Sequence, residues 1–414
     1  METMTVLSRD MFERTLKINT ADEAVGILLG YGHFRTLGDV LRRFVPEPDI
    51  KKRLVAGLQL WFPGDKADSI DRKVRNWLNG KTLSVSKQDA YIISRILSLS
   101  LEQTDEFLGY AAGEGIHWRN PEDLVWCYSI LHSLSPARTE HLMERAKAAV
   151  SPDGNPGKQA SDSYTADIRE KLQPVLYRDE DALLDFLKEE SRRLGNLHNT
   201  AYHLFTQYMD LLKKGYSDDG VEALFKEMTR EEKKKAQIPV DGDIGPHKAE
   251  PITVRDILET YLYRKLIPVQ ARGSARAADT FSPIQRSIRQ NWPDEFSLSK
   301  MEARKQDVSR KALILLFLAT DGTDSDYSDG YEDPEDYEDY EDLASPDEEF
   351  LSIYTRLNLM LTGCGFPRLD PRNPFDWIIL FAISSGDLWE SDGRLQELLG
   401  KLYDTANESR TPLP

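Results

Sequence analysis

The sequence is poor in the residues and motifs on which most enzyme sites depend. Its 414 residues include two cysteines, Cys127 and Cys364, whose spacing does not suit a shared metal site. The motifs of zinc peptidases, phosphate-binding loops, serine hydrolases and dinucleotide-binding folds are missing. We therefore expect no enzymatic activity, no cofactor and no bound metal. Two buried thiols are typical of a reducing compartment, so we expect a cytoplasmic protein.

Long apolar runs and alternating strand patterns are also missing. No stretch approaches the roughly 20 apolar residues that span a bilayer, so we expect no membrane partner. The first 17 residues lack the apolar core of a signal peptide. Apolar residues instead recur at helical spacing nearly throughout the chain. This pattern predicts an all-α fold.

Breaks in the helical pattern indicate how the chain is divided. Two stretches rich in Pro, Gly, Asp and Ser are typical of linkers, and a strongly helical middle segment lies between them. The predicted order is a first helical unit (1–150), a linker (151–163), a helical middle segment (164–238), a second linker (239–251), a second helical unit (252–405) and a frayed tail (406–414).

One helix-start phrase occurs twice, 253 residues apart. It reads RNPED at 119–123 and RNPFD at 372–376, and an apolar run follows each copy. Asn suits the N-cap of a helix, Pro suits the first helical position, and Asp suits the first turn. Weaker matches occur upstream in the same order, at 74–97 and 298–320. The pattern predicts two related multi-helix units, although short phrases of this kind also occur simply as favourable helix starts.

The segment upstream of the first phrase carries a family resemblance. The stretches RNWLNGKTLS (75–84) and LSLEQTDEFLG (99–109) resemble the helix-turn-helix domain of the Cro/cI-like (XRE) family of bacterial DNA-binding regulators. The second copy, LSKMEARKQDVSRKALILLFLAT (298–320), is similar, with Arg304 in place of Gly80. The resemblance implies that double-stranded DNA is a partner of this protein.

The resemblance also implies which side chains contact the DNA. Residues 68–78 would form the helix that enters the major groove, after a connection at 62–67 that is longer than the family's turn. Basic side chains suit phosphates and guanine edges, and Asn suits adenine. The first-copy candidates are Arg72, Lys73, Arg75, Asn76, Lys81 and Lys87, the last two as flanking phosphate contacts. The weaker second-copy candidates are Lys300, Arg304, Lys305, Arg310 and Lys311.

Charge is distributed unevenly along the chain. The net charge is −17, but residues 321–349 contain 15 acidic residues and no Lys or Arg. Both candidate segments are locally basic, with net charges of +6 over residues 35–95 and +6 over residues 264–311. The acidic insertion has almost no aliphatic side chains and is expected to be disordered. It would either compete with nucleic acid for the neighbouring basic residues or serve as a solubilising loop.

These patterns predict a sequence-specific DNA-binding transcriptional regulator that uses its first unit. The alternative is a protein-interaction scaffold whose diverged helix-turn-helix units no longer bind DNA, and that alternative requires a protein partner. His198 and His203, in the middle segment, are five residues apart rather than four. That spacing does not place two metal ligands on one helical face, so both are expected to be core or surface residues.

Overall fold

The described part of the protein is built from helices and turns. The computed structural model describes residues 6–31, 34–45, 49–150, 163–191, 193–195, 198–214, 252–268, 281–320, 346–386 and 388–408. No strand occurs among these residues, so the predicted all-α fold is confirmed. None of the helices within these ranges combines the length and the apolar character that a bilayer crossing requires.

Several predicted segments fall outside the described residues. They comprise nearly all of the first linker, the second part of the middle segment, the second linker, the acidic insertion up to residue 345 and the tail from residue 409. The last four residues of the predicted insertion, 346–349, form the first turn of a helix instead.

The helices fall into two groups along the chain. The first group comprises α1 (Val6–Thr15), α2 (Ala21–Gly26, continued by a π-helical turn at Ile27–Tyr31), α3 (Leu37–Phe44), α4 (Asp49–Trp61), α5 (Ala67–Leu78), α6 (Lys87–Leu97), α7 (Leu101–Ala111), α8 (Pro121–Leu131), α9 (Pro136–Ala149), α10 (Ser163–Val175), α11 (Glu180–Glu189) and α12 (Asn199–Lys214). The second comprises α13 (Val254–Thr260, followed by a 3₁₀ turn at Arg264–Leu266), α14 (Pro283–Asn291), α15 (Glu295–Glu302), α16 (Arg310–Ala319), α17 (Pro346–Gly363), α18 (Pro374–Ile383) and α19 (Leu388–Glu408).

The two helix starts predicted from the repeated phrase are confirmed. Asn120 caps α8 by accepting a hydrogen bond from the backbone N–H of Glu122 at 2.9 Å. Asn373 caps α18 in the same way, with the N–H of Phe375 at 2.9 Å. A proline occupies the first helical position after each Asn. Each cap satisfies a backbone donor that would otherwise lack a partner, which stabilises the fold by about 1 kcal/mol.

The turns that end α5 and α15 have the same geometry. Gly80 and Arg304 both adopt the left-handed conformation, with φ of 69° and 53°. In each turn, two backbone N–H groups donate to one carbonyl, that of Asn76 in the first turn and that of Lys300 in the second. Glycine adopts this conformation without steric cost, whereas arginine does not. The cost at Arg304 is offset by its guanidinium, which donates to the side chain of Asn199 at 2.7 Å.

The buried side chains form two hydrophobic clusters. The first cluster is built by α3 to α11 and includes the fully buried side chains of Leu54, Val74 and Phe107. The second cluster is built by α1, α2 and α12 to α19, and it includes Phe205 and Trp377. Each cluster therefore combines helices that are far apart in the sequence.

The N-terminal helices pack with the second cluster rather than the first. Helix α1 contacts α18, and α2 contacts α19. The ring of Phe34 meets that of Trp377 edge-on, with centroids 5.8 Å apart. The predicted first unit, residues 1–150, thus contributes to both clusters, and the middle segment is divided in the same way between α11 and α12. Helical periodicity identifies an apolar face but does not identify the surface that covers it.

Replacing Gly80 tests the turn after α5. An alanine there is strained by its positive φ, and its Cβ would lie 2.9 Å from Cγ2 of Thr36. We expect Gly80→Ala to lower the free energy of unfolding by about 1–2 kcal/mol. The matched control is Gly64→Ala, because a Cβ added at Gly64 meets no heavy atom within 4 Å. Chemical denaturation measures both variants, and equal stabilities would contradict the assigned turn.

Candidate functional site

A buried ion pair lies behind each copy of the repeated phrase. In the first copy, Nζ of Lys87 lies 2.8 Å from Oδ2 of Asp123. In the second, the guanidinium of Arg310 binds both carboxylate oxygens of Asp376, at 2.7 and 2.9 Å. Each cation is the first residue of its helix, α6 or α16, and each Asp lies in the first turn of α8 or α18. The repeated Asp therefore joins two helix starts, in addition to its favourable position on the helix dipole.

Each buried carboxylate also holds the loop that precedes its helix. Oδ2 of Asp123 accepts the backbone N–H of His117 at 2.7 Å. Oδ2 of Asp376 accepts the backbone N–H of Asp370 at 2.9 Å. His117 and Asp370 thus occupy corresponding places, six residues before the two aspartates.

The pKa values of Lys87 and Asp123 reflect both burial and their mutual attraction. Burial lowers the pKa of Lys87, but the carboxylates of Asp123 and Glu114 outweigh that effect and raise it above its ordinary value. Burial raises the pKa of Asp123, and Lys87 limits the rise. The phosphate contact predicted for Lys87 does not fit this placement, because two carboxylates already hold its ammonium group.

Arg310 and Lys311 are likewise enclosed rather than presented to a DNA surface. The Arg310 side chain is 5% exposed and donates to the carbonyl of Pro367 as well as to Asp376. The ammonium of Lys311 lies 5.7 Å from the ring centroid of Phe375. Burial, together with the nearby charge of Arg310, lowers the pKa of Lys311 to about 8. The DNA contacts predicted for these two residues, as weaker second-copy candidates, do not fit this placement.

Helix α5 has one buried face and one exposed face. Ile70, Val74 and Trp77 pack into the first cluster. Arg72, on the other face, and Lys81, in the turn after the helix, are exposed. Neither has an ion-pair partner among the described residues. These two cations therefore have the exposure that a phosphate contact requires.

The other candidates on α5 already have partners within the protein. Nε of Arg75 lies 2.8 Å from Oδ2 of Asp71, one helical turn earlier. Nζ of Lys73 lies 3.1 Å from Oδ1 of Asp89 at the start of α6. Asn76 is half-buried, and its carbonyl closes the turn after α5. Of these three side chains, only that of Arg75 is exposed.

The remaining second-copy candidates lie on and beside α15. Nζ of Lys300 lies 4.0 Å from the ring centroid of Phe296. The guanidinium of Arg304 lies 4.2 Å from the ring centroid of Tyr202 in α12. Lys305 is exposed. Arg304 is therefore part of the packing between α12 and α15, and Lys305 is the candidate in this copy that faces solvent.

A cleft of about 1650 Å³ lies between the two clusters. It is lined by the loops that precede α8 and α18 and by residues of α7, α10, α12 and α17. Beside it, Arg35 donates to Asp370 at 2.6 Å, and its backbone N–H donates to the carbonyl of Arg372 at 2.8 Å. The backbone N–H of Gly195 donates to the carbonyl of Arg119 at 2.9 Å. Both copies of the repeated phrase thus border one cleft.

Two histidines meet in this cleft, and nothing in their sequence spacing indicated it. The rings of His117 and His198 stack with centroids 3.7 Å apart and planes 16° apart. Nδ1 of His198 lies 2.5 Å from Oδ2 of Asp307, whose Oδ1 accepts the backbone N–H of His198 at 2.9 Å. Burial, followed by the nearby His198 ring and the cations Lys87 and Arg119, lowers the pKa of His117 well below its ordinary value. The His117 ring is therefore neutral at pH 7.

His117, His198 and Asp307 offer ligand atoms within 4.8 Å of one another, but their arrangement does not suit a single metal ion. An imidazole binds a metal in the plane of its ring, at about 2.0–2.1 Å from the nitrogen. Two nearly parallel stacked rings do not direct their nitrogens at one point. Nδ1 of His198 is also engaged by Asp307. The three residues form a stacked and hydrogen-bonded group.

Comparisons with known proteins assign no family to the chain. No protein-family model matches it, and neither does any curated protein or solved structure. Its function is therefore argued from the geometry of its own residues.

Removing the carboxylate of Asp376 tests the importance of the second ion pair. Asp376→Ala leaves the buried guanidinium of Arg310 without its anion, so we expect a loss of about 3–5 kcal/mol in the free energy of unfolding. Asp22→Ala is the control, because Asp22 pairs with Lys401 but its side chain is 78% exposed. An exposed pair contributes about 0–1 kcal/mol. Denaturant unfolding of both variants gives the comparison, and similar losses would show that burial of the pair is unimportant.

Proposed function

We propose that the first unit binds double-stranded DNA and acts as a sequence-specific transcriptional regulator. The exposed face of α5, with Arg72 and Arg75, supports this most directly. Helix α5 packs against α3 and α4, and only residues 62–66 connect it to α4. In a helix-turn-helix, this kind of packing leaves the outer face of the second helix to enter the major groove. The role is that of a cytoplasmic protein.

The charges around α5 support a division of roles between phosphate and base contacts. Arg72 and Lys81, which have no carboxylate partner among the described residues, serve as phosphate contacts. Arg75 and Asn76 lie closest to the end of the helix and suit guanine and adenine edges. On binding, Arg75 would exchange its ion pair with Asp71 for a contact with DNA. The stability lost with that ion pair is small, because an exposed ion pair contributes about 0–1 kcal/mol.

The second unit is related to the first in this proposal, and a shared geometry supports the relation. Both units contain the left-handed turn after α5 or α15, the Asn–Pro helix start and the buried ion pair. A common origin of the two units accounts for these three features, which occur in the same order along the chain in both units.

A protein-interaction role is the second candidate, and α15 supports it. Asn76 and Lys300 hold the same place in their turns, so Phe296 corresponds to Arg72. Phe296 is 69% exposed. An exposed aromatic side chain suits the apolar part of a protein interface better than it suits a phosphate. In the first unit, the carboxylate of Asp68 in the first turn of α5 also opposes a polyanion.

Salt-dependent binding of the full chain to a labelled random-sequence duplex distinguishes the two roles. Fluorescence polarisation at several salt concentrations gives the affinity. A DNA-binding first unit predicts a steep decline of affinity with salt, and Lys81→Gln should lower the log–log slope by about one. Lys305→Gln is the matched control, because Lys305 follows the corresponding turn of the second unit. No binding at low salt, or equal effects of the two substitutions, would contradict the proposal and favour the scaffold.

Base recognition is tested separately, by selecting bound fragments from a random pool. Arg75→Gln should relax the preference at one base position and weaken binding to the selected site by about 1–3 kcal/mol. Binding to the random duplex should change much less. An unchanged preference would remove Arg75 from the base-reading residues.

A further inference from the structure

Most of the carboxylates that line the cleft between the two clusters are bound by an arginine or by a backbone N–H group. Asp370 and Asp376 are bound by Arg35 and Arg310, as described above. Asp105 accepts the backbone N–H of Ile116 at 2.6 Å. Glu106 pairs with Arg43 at 2.8 Å. Among the described residues, the lining carboxylates without a partner are Glu102 and Glu170.

Fewer of the cations that line the cleft have a carboxylate partner. Once Arg35 and Arg310 are set aside, four remain that have no carboxylate partner among the described residues. Arg169 and Arg368 are exposed, so water screens them, whereas burial lowers the pKa of Lys311 to about 8. The four are Arg119, Arg169, Lys311 and Arg368.

Arg119 differs from the others because it is buried, with 7% of its surface exposed. Its Nε donates to the carbonyl of Arg193 at 2.9 Å, and its own carbonyl accepts the N–H of Gly195. These bonds hold the side chain and its loop in position. Burial and the charge of Arg193 lower the pKa of Arg119. A buried cation without an anion is unfavourable, so the site is incomplete as it stands.

The second copy of the phrase has a carboxylate where the first copy has a histidine. Arg372 holds the place of Arg119, and Asp370 holds the place of His117. Both His117 and Asp370 donate their backbone N–H to the buried aspartate of their copy. Burial and the charge of Arg35 lower the pKa of Arg372, and the carboxylate of Asp370, which also binds Arg35, opposes that effect. In the first copy, the histidine at this place is neutral and supplies no charge to Arg119.

We propose that the cleft binds a small anion with a phosphate or carboxylate group on the guanidinium of Arg119. The two terminal nitrogens of Arg119 have no hydrogen-bond partner among the described residues, and a guanidinium presents such nitrogens as parallel donors to an oxyanion. The neutral ring of His117 can donate a further hydrogen bond without adding charge. Trp118, with Arg169 at 4.8 Å from its ring centroid, supplies a flat apolar wall for an organic part of the ligand.

Calorimetric titration of the full chain tests the site, with inorganic phosphate and malonate as separate probes at constant ionic strength. We expect one anion to bind per chain. Binding of phosphate alone or of malonate alone identifies the ligand class, and binding of both supports the shared oxyanion chemistry. If neither probe binds at millimolar concentration, the proposal is overturned.

Two substitutions place the bound anion at Arg119. Arg119→Gln should weaken binding tenfold or more, because charge-assisted hydrogen bonds are lost. His117→Asp keeps Arg119 but supplies the carboxylate found in the second copy, so it should also weaken binding tenfold or more. Lys52→Gln, at an exposed position on α4, is the control and should leave binding unchanged. Thermal denaturation checks that each variant is folded. If Arg119→Gln does not fold, the test depends on His117→Asp alone. Binding of wild-type strength by both cleft variants would overturn the proposal.

Discussion

The buried ion pairs Lys87–Asp123 and Arg310–Asp376 hold the loops on which both the packing and the cleft depend. Removing two charges from water is costly, and the pairs are tolerated because further polar groups complete their hydrogen bonding. Asp123 and Asp376 each accept a backbone N–H from the preceding loop. Arg310 also donates to backbone carbonyls of the loop before α18. Each pair thus fixes a helix start and a loop together.

The two copies use this arrangement differently. In the second, the place six residues before the aspartate is occupied by Asp370, whose carboxylate receives Arg35 and opposes the effect of burial on the pKa of Arg372. In the first, the same place is occupied by His117, whose ring stacks on His198 instead. One side of the cleft is therefore closed by an ion pair, while the other has a buried arginine with no carboxylate partner among the described residues. Helix α5 lies outside this region, so DNA binding and anion binding would use separate surfaces.

Local features were predicted well, and side-chain partners were not. The helix starts at Asn120 and Asn373 follow from capping, which involves residues two or three positions apart. The ion pairs of Lys87 and Arg310, both predicted as DNA contacts, could not be foreseen for a different reason. A basic residue after a capping serine looks the same in sequence whether it faces solvent or a buried carboxylate. The acidic partner of Arg310 is 66 residues away and belongs to another helix.

By itself the sequence determined that the chain is helical and where several helices begin, because periodicity and capping act within a few residues. It also marked Asp123 and Asp376 as equivalent, through the repeated phrase. Only the tertiary structure decided that α1 and α2 pack with the second cluster, that His117 meets His198, and that Arg119 is buried. These outcomes depend on which apolar faces cover one another, and helical periodicity leaves that choice open.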